Sequence, residues 1–140
     1  MGKITTYYRN DMLFESKLGD YSLLIDVPPA LGGQGRGPTP PEIFIASLGS
    51  CVGALVAQYC ERGDIVTEGM TVDVTFSKVD HPTRLSDIKV RVNLPFGECE
   101  NRAETLRRVA KHCPVHETME TLDGIDFEIV SSDVKELQLV

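Results

Sequence analysis

The stretch Thr39-Pro40-Pro41-Glu42-Ile43-Phe44-Ile45-Ala46-Ser47-Leu48-Gly49-Ser50-Cys51 decides the fold of this 140-residue chain. A threonine followed by prolines and then by Glu42 is the capping-box pattern, which predicts a helix N-terminus with Thr39 as the N-cap. Apolar residues continue toward Arg62, and Gly63 is the predicted stop. This helix is apolar nearly all the way round, so we expect it to be covered on every side.

Shorter elements flank the predicted helix. Strand-forming residues between turn signals predict three strands before it, and alternating residues predict two more after it. An amphipathic helix then follows, and Pro114 interrupts it and starts a second short helix. The predicted ranges are 4–9, 13–17 and 21–27 for the first strands, 28–41 for a loop rich in Gly and Pro, 71–79 and 88–94 for the next strands, 101–112 and 114–124 for the helices, and 125–130 for a last strand. This order is typical of an α+β domain with helices on one side of an antiparallel sheet, and residues 1–140 suit one domain.

Composition and charge exclude several classes of protein. The chain is 41% hydrophobic and 25% charged, with a formal net charge of -7, which disfavours binding to nucleic acid or to an anionic membrane. Residues 1–6 do not resemble a signal peptide, and the longest apolar stretch, 43–59, is interrupted by Ser, Gly and Gln. We therefore expect a cytoplasmic protein whose four cysteines are reduced, which favours redox or catalytic roles over structural disulfides.

Small residues recur along the predicted helix in steps of three or four, at Ala46, Ser50, Gly53 and Ala57. Such a stripe lets another helix approach closely. That helix is either the second helix of the same chain or the same helix of a second copy across a two-fold axis. We favour a homodimer, because a 140-residue domain has difficulty enclosing a helix of about six turns alone.

Two of the cysteines are candidates for chemistry. Cys51 lies in mid-helix, where a buried thiol is usually inert and would need a nearby cation to become a nucleophile. Cys113 precedes Pro114 and falls at or near a helix N-cap, where the helix dipole favours a thiolate, and His112 and His116 flank it. On local sequence alone, a structural cysteine in a helix corner is an equally good interpretation of Cys113.

The remaining cysteines and motifs indicate no further chemistry. Cys60 ends the long helix, and Cys99 lies between two glutamates, which predicts an exposed and unreactive thiol. A zinc site is disfavoured, because the cluster His112, Cys113 and His116 has no paired cysteines and no fourth ligand nearby. The glycines at 32–37 lack the lysine and the strand context of a nucleotide loop, so we expect no metal and no cofactor.

Two segments of the chain match cysteine motifs of a known family. One is the stretch that opens the long helix and ends at Cys51, and the other is Ala110-Lys111-His112-Cys113-Pro114-Val115-His116. The first resembles the "NPEELLAAALAAC" segment, and the second the second cysteine motif, of the OsmC/Ohr family of hydroperoxide-detoxifying proteins. The two cysteines are 62 residues apart, a separation similar to that in the family. The resemblance extends over essentially the whole chain.

The resemblance implies an OsmC-like fold, with antiparallel sheets wrapped around long central helices in an intertwined homodimer. It also implies a site at the subunit interface. There Cys51 attacks the O–O bond of an organic hydroperoxide, or more weakly hydrogen peroxide, and becomes a sulfenic acid, and Cys113 condenses with it to a disulfide. A low-molecular-weight or lipoyl-type dithiol reduces that disulfide. Arg9 is the implied activating cation, and Arg36 in the glycine loop is the less favoured substitute.

One position departs from the family pattern. Peroxidases of this family pair the arginine with a carboxylate ten residues before the first cysteine, where this chain has Pro41. Glu42 lies nine residues before Cys51, roughly 13 Å along a continuous helix and pointing away from it. We expect Glu42 to partner Arg9 only if the helix begins later or if the pair forms across the dimer. A dimeric small-molecule binding protein, or a redox sensor with little turnover, therefore stays as an alternative function.

Overall fold

The long helix is the central element of the computed structural model, which describes residues 1–133 and 137–139. Helix α1 spans Pro40–Arg62 and begins with the predicted capping box at Thr39. The Glu42 carboxylate accepts hydrogen bonds from the Thr39 backbone N–H at 3.0 Å and from its hydroxyl at 2.7 Å. At the other end, the Gly63 N–H donates to the Tyr59 carbonyl. The predicted start and stop of this helix are confirmed.

The strands form three antiparallel sheets, which confirms the predicted α+β class with antiparallel sheets. Strands β1 (Thr5–Tyr8), β2 (Phe14–Leu18) and β3 (Tyr21–Ile25) form an N-terminal meander, β4 (Thr71–Val79) pairs with β5 (Arg84–Asn93), and β6 (Phe127–Ile129) pairs with β7 (Leu137–Leu139). The predicted range of β4 is confirmed. Strand β5 begins four residues earlier than predicted, because its pairing with β4 continues beyond a register shift between Thr75 and Ser77.

Two shorter helices follow the second sheet. Helix α2 spans Ala103–Lys111 and helix α3 spans Pro114–Thr121. A 3-10 turn at Glu100–Arg102 leads into α2, and another at Pro29–Leu31 lies in the predicted loop. The break at Pro114 is confirmed. It follows from proline, which lacks the N–H that would continue α2 and is suited to the first position of a new helix.

Helix α1 packs against β4 through its glycines. A Cβ built on Gly49 would lie 3.3 Å from Val74 Cγ2, and one built on Gly53 would lie 3.2 Å from Val72 Cγ2. Side chains at these positions would therefore push the strand away from the helix. Around this contact lies the core, whose buried members are Leu48, Val52, Val56, Cys60, Ile65, Leu106 and Cys113.

The opposite side of α1 is not covered by the described residues of one chain, so the predicted cover of the helix all round is incomplete within a single copy. Ala46, Ser50 and Ala54 are exposed, and Phe44 is 43% exposed. By length and composition alone, α1 could also cross a membrane. Its contacts with β4, β5, α2 and α3 are those of a core helix in a folded domain. One apolar face of α1 therefore remains without a partner within the described residues.

Candidate thiol site

Cys51 and Cys113 come together where α1 meets the start of α3. Cys51 lies in α1 and is half-buried, whereas Cys113 is the N-cap of α3 and is fully buried. Both thiols are free, and Cys51 is near enough to Cys113 to contribute to the raised pKa of the Cys113 thiol. The fold therefore juxtaposes two cysteines that are 62 positions apart in the chain, one open to solvent and the other enclosed.

The pKa of Cys113 is raised above that of an ordinary thiol. Burial is the largest cause, and a hydrogen bond with the Cys51 side chain adds to it. The backbone N–H groups of His116 and Val115 act in the opposite direction, and the His116 N–H donates to the Cys113 sulfur at 3.4 Å. The N-cap position that the sequence predicted is confirmed, but burial outweighs the helix N-terminus, so Cys113 is held as a neutral thiol.

The flanking histidines are bonded to other groups. His116 Nδ1 lies 2.8 Å from the Lys111 carbonyl oxygen, and its Nε2 lies 3.4 Å from a Glu120 carboxylate oxygen. The largely exposed His112 has its Nδ1 3.8 Å from Glu117. His116 is therefore linked to Cys113 through its backbone, while its ring faces the carbonyl and carboxylate of neighbouring turns.

Arg9 and Glu42, the predicted cation and its carboxylate, belong to separate networks within the chain. Arg9 donates to Glu15 at 2.9 Å and lies over the Tyr7 ring, 4.8 Å from the centroid. Hydrogen bonds from Lys17 and then from Arg9 lower the pKa of Glu15 to about 2. The Thr39 hydroxyl and N–H lower the pKa of Glu42. Because α1 begins at Pro40, Glu42 remains in its cap, and any pairing with Arg9 would have to form between two copies of the chain.

A buried aspartate, which sequence reasoning missed, organises the glycine loop. Asp26 is fully buried and accepts a 2.8 Å hydrogen bond from Arg36 Nε and further bonds from the backbone N–H groups of Val27, Gln34 and Arg36. The Arg36 guanidinium is the largest cause that holds the pKa of Asp26 far below its usual range. The guanidinium also donates to the Asp11 carbonyl. The only signal in the sequence was one acid before a Gly-rich stretch that contains an arginine.

Cys60 and Cys99 form a second group of thiols. Cys60 is fully buried, and burial followed by the neighbouring Cys99 raises its pKa, while Arg102 lowers it. Cys99 is half-buried and packs against the core, which corrects the expectation that it is exposed. Arg102 fixes this corner by donating to the Gly63 carbonyl at 2.7 Å, where α1 ends.

A cavity of about 780 Å³ opens between β5 and the three helices. Its lining is largely apolar, with one thiol and four other titratable side chains; the lining residues are Leu48, Val52, Val56, Ile88, Val90, Val92, Leu94, Cys99, Ala103, Leu106, Arg107, Ala110, Lys111, His116, Met119 and Glu120. A shallower groove of about 360 Å³ lies along Ala46, Ser50 and Gly53 of α1 beside β4. Over the ranges 1–133 and 137–139, no three His, Cys, Asp or Glu residues are grouped as a metal site would need.

The fold matches that of several solved proteins. An OsmC-like protein from Mycoplasma pneumoniae superposes with a TM-score of 0.71 at 20% identity, over 86% of this chain and 87% of that one. An organic hydroperoxide resistance protein OsmC from Legionella pneumophila gives 0.61 at 21% identity, over 85% and 88%. An organic hydroperoxide resistance protein from Elizabethkingia anophelis gives 0.61 at 19% identity, over 85% and 87%. Among curated proteins, none shows significant sequence similarity to the chain.

These structures define an α+β fold in which antiparallel sheets and helices are arranged as in OsmC-like proteins. The sequence profile of the OsmC-like protein family matches residues 33–129, which include α1, strands β4 and β5, and helices α2 and α3. The chain belongs to the OsmC family.

Proposed function

We propose that this protein is a thiol-dependent peroxidase that reduces organic hydroperoxides, and hydrogen peroxide more weakly, through Cys51 and Cys113. The observation that carries the proposal is the proximity of a half-buried and a fully buried thiol where α1 packs against α3. A peroxide can reach the first sulfur from solvent, and the second is protected until the first has reacted. Family membership and the hydroperoxide resistance proteins of similar fold support the same chemistry.

The two thiols would divide the reaction between them. The Cys51 thiolate attacks the O–O bond of the hydroperoxide, which releases the alcohol and leaves a sulfenic acid on Cys51. The Cys113 thiol then condenses with it, which forms the Cys51–Cys113 disulfide and releases water. The neutral state of Cys113 suits the second step, because a buried thiol does not compete with Cys51 for peroxide. A low-molecular-weight or lipoyl-type dithiol then reduces the disulfide by exchange.

The cation for Cys51 is proposed to come from a second copy of the chain. In one copy Arg9 is bound to Glu15, but this pair is exposed, with 45% of the arginine side chain accessible, and exposed pairs are weak enough to exchange partners. Arg36 is less suitable, since the buried Asp26 holds it. We therefore propose a homodimer in which Arg9 reaches the Cys51 thiol. Glu42 is the proposed carboxylate partner of Arg9, because it lies one position from the carboxylate of the family pattern. The whole chain would act as one domain in the cytoplasm, where reduced cysteines persist.

The decisive experiment measures consumption of cumene hydroperoxide with dihydrolipoamide as reductant. We expect Cys51→Ser to abolish turnover and Cys113→Ser to reduce it strongly while leaving one equivalent of peroxide consumed. Cys99→Ser is the matched control, because this thiol is also half-buried but lies near Cys60 at the C-terminal end of α1. Unchanged turnover in Cys51→Ser would refute the proposal. A single oxidation without turnover in the wild type would instead favour a redox sensor.

The proposed homodimer has its own test. The exposed face of α1 consists of small residues around Ala46 and Ser50, which would allow a second helix to approach closely. We expect Ala46→Arg to shift the mass measured by sedimentation from dimer to monomer and to lower peroxidase turnover with it. Asn101→Arg, at an exposed position outside this face, should leave the mass unchanged. A monomeric wild-type protein with full turnover would contradict the dimer.

A further inference from the structure

The cavity between β5 and the helices has the construction of a ligand site. One wall is the inner face of β5, where Ile88, Val90 and Val92 alternate toward the helices and Leu94 continues the row just after the strand, and the other wall comes from α1 and α2. The strand wall extends over about 20 Å at 3.3–3.4 Å per residue. A volume of about 780 Å³ falls within the roughly 300–1,000 Å³ range of small-molecule sites, which are typically apolar with few polar groups.

The charged and histidine side chains of the lining all come from helices α2 and α3, opposite the strand wall. Arg107, Lys111, His116 and Glu120 belong to this group, and all but His116 are exposed, so they border the opening. Arg107 is bound to Glu104 and His116 to Glu120. Within residues 1–133 and 137–139, Lys111 takes part in no ion pair. Among the described residues, Lys111 is thus the cation of the opening that has no ion-pair partner, and it lies beside an apolar interior.

We propose that this cavity binds a small amphipathic anion, with its apolar chain or ring along β5 and its carboxylate, or another singly charged head, at Lys111. Binding rests on the shape and charge of the cavity and is independent of the proposed peroxide chemistry at Cys51. The head group gains a charge-assisted hydrogen bond from the lysine, and the tail replaces water against Val90 and Leu106. The half-buried thiol of Cys99 also lines the cavity and reports on its occupancy.

The test uses dodecanoate and calorimetric titration of the purified full chain. We expect saturable binding to the wild type and weakening by about tenfold in Lys111→Gln, the loss of one charge-assisted hydrogen bond. Val90→Phe, at a residue that is 40% exposed and can accept bulk without disturbing the buried core, should abolish binding. The matched control is Lys89→Phe, which adds the same ring to the adjacent position on the opposite face of β5. It also removes a cation, and binding should remain.

Two further arms separate specific binding from adsorption to the exposed apolar faces. Dodecanol, which has the same chain without the charge, should bind more weakly than dodecanoate. Dodecanoate should slow the alkylation of Cys99 by iodoacetamide in the wild type and fail to do so in Val90→Phe. Absence of saturable binding overturns the proposal. A second copy of the chain that fills the cavity would give this result. Equal binding by the wild type, Lys111→Gln and Val90→Phe overturns it as well.

Discussion

Substitution of Gly33 by alanine is expected to destabilise the protein more than any change of similar size at an exposed loop position. A Cβ built on Gly33 would lie 1.7 Å from the Val27 carbonyl oxygen and 2.7 Å from Asp26 Oδ1. Real Cβ atoms essentially never approach within 3.0 Å of another atom, so residue 33 and the Val27 carbonyl must separate by at least 1.3 Å, the difference between 3.0 and 1.7. The obstacle is backbone, which cannot rotate away as a side chain can.

The required movement is larger than the loop's hydrogen bonds tolerate. The N–H of the next residue, Gln34, donates to the Asp26 carboxylate at 3.2 Å, and the Gly33 N–H donates to the Pro28 carbonyl at the same distance. A shift of 1.3 Å along either bond would break it. Overpacking of this kind costs about 1–3 kcal/mol, and the lost hydrogen bonds place Gly33→Ala toward the upper end.

Urea denaturation followed by circular dichroism measures this loss. With a slope of about 2 kcal/mol per molar urea, a loss of about 2–3 kcal/mol lowers the midpoint by about 1–1.5 M with the slope unchanged. Gly124→Ala is the matched control, since a Cβ there meets nothing within 4 Å, and its free energy of unfolding should change by less than about 0.5 kcal/mol. If Gly33→Ala unfolds at the wild-type midpoint, the close approach of loop and strand that the structure describes is wrong.

Two further predictions concern the thiols. Burial raises the pKa of both Cys60 and Cys113 in the folded state. The stability that these two thiols contribute is therefore complete below the pKa of an unfolded thiol, about 8.5. It is lost as the pH rises through their pKa values in the folded protein. The free energy of unfolding under reducing conditions should therefore fall above about pH 8.5, and less steeply in the Cys60→Ser, Cys113→Ser double variant; an equal slope in both proteins would contradict this. In addition, iodoacetamide should modify the half-buried Cys51 and Cys99 at least about 10³-fold faster than Cys60 and Cys113, because the enclosed thiols react only after an opening that costs about 5 kcal/mol. Peptide mass spectrometry over time gives the four rates, and equal labelling of Cys51 and Cys113 would remove the basis for their different roles.

The sequence predicted those parts of the fold that local physical chemistry determines. The capping box at Thr39, the stop at Gly63 and the break at Pro114 depend on residues within one or two turns, and all three are confirmed. The pairing that extends β5 back to Arg84 depends on β4, and β7 was not predicted at all. Register between strands is set by the partner strand, which a pattern along one segment does not contain.

The candidate site was likewise predicted only where it depends on local sequence. The N-cap position of Cys113 followed from Pro114, but its enclosure by α1 and the resulting rise in its pKa required the tertiary fold. The half-burial of Cys99 depends likewise on the packing of its loop against the end of α1, and its glutamate neighbours gave the opposite expectation. The roles of Arg9 and Glu42 in catalysis stay predictions, because each is bound within its own part of the chain.

The Asp26 carboxylate has a consequence for the freedom of the loop that it holds. It accepts a hydrogen bond from the Gln34 backbone N–H, whereas the Gln34 side chain is exposed and contributes nothing to that contact. The shape of the loop is thus independent of which side chain occupies position 34, provided that Asp26, Arg36 and Gly33 remain. Position 34 is therefore open to substitution without loss of the hydrogen bond that anchors the loop.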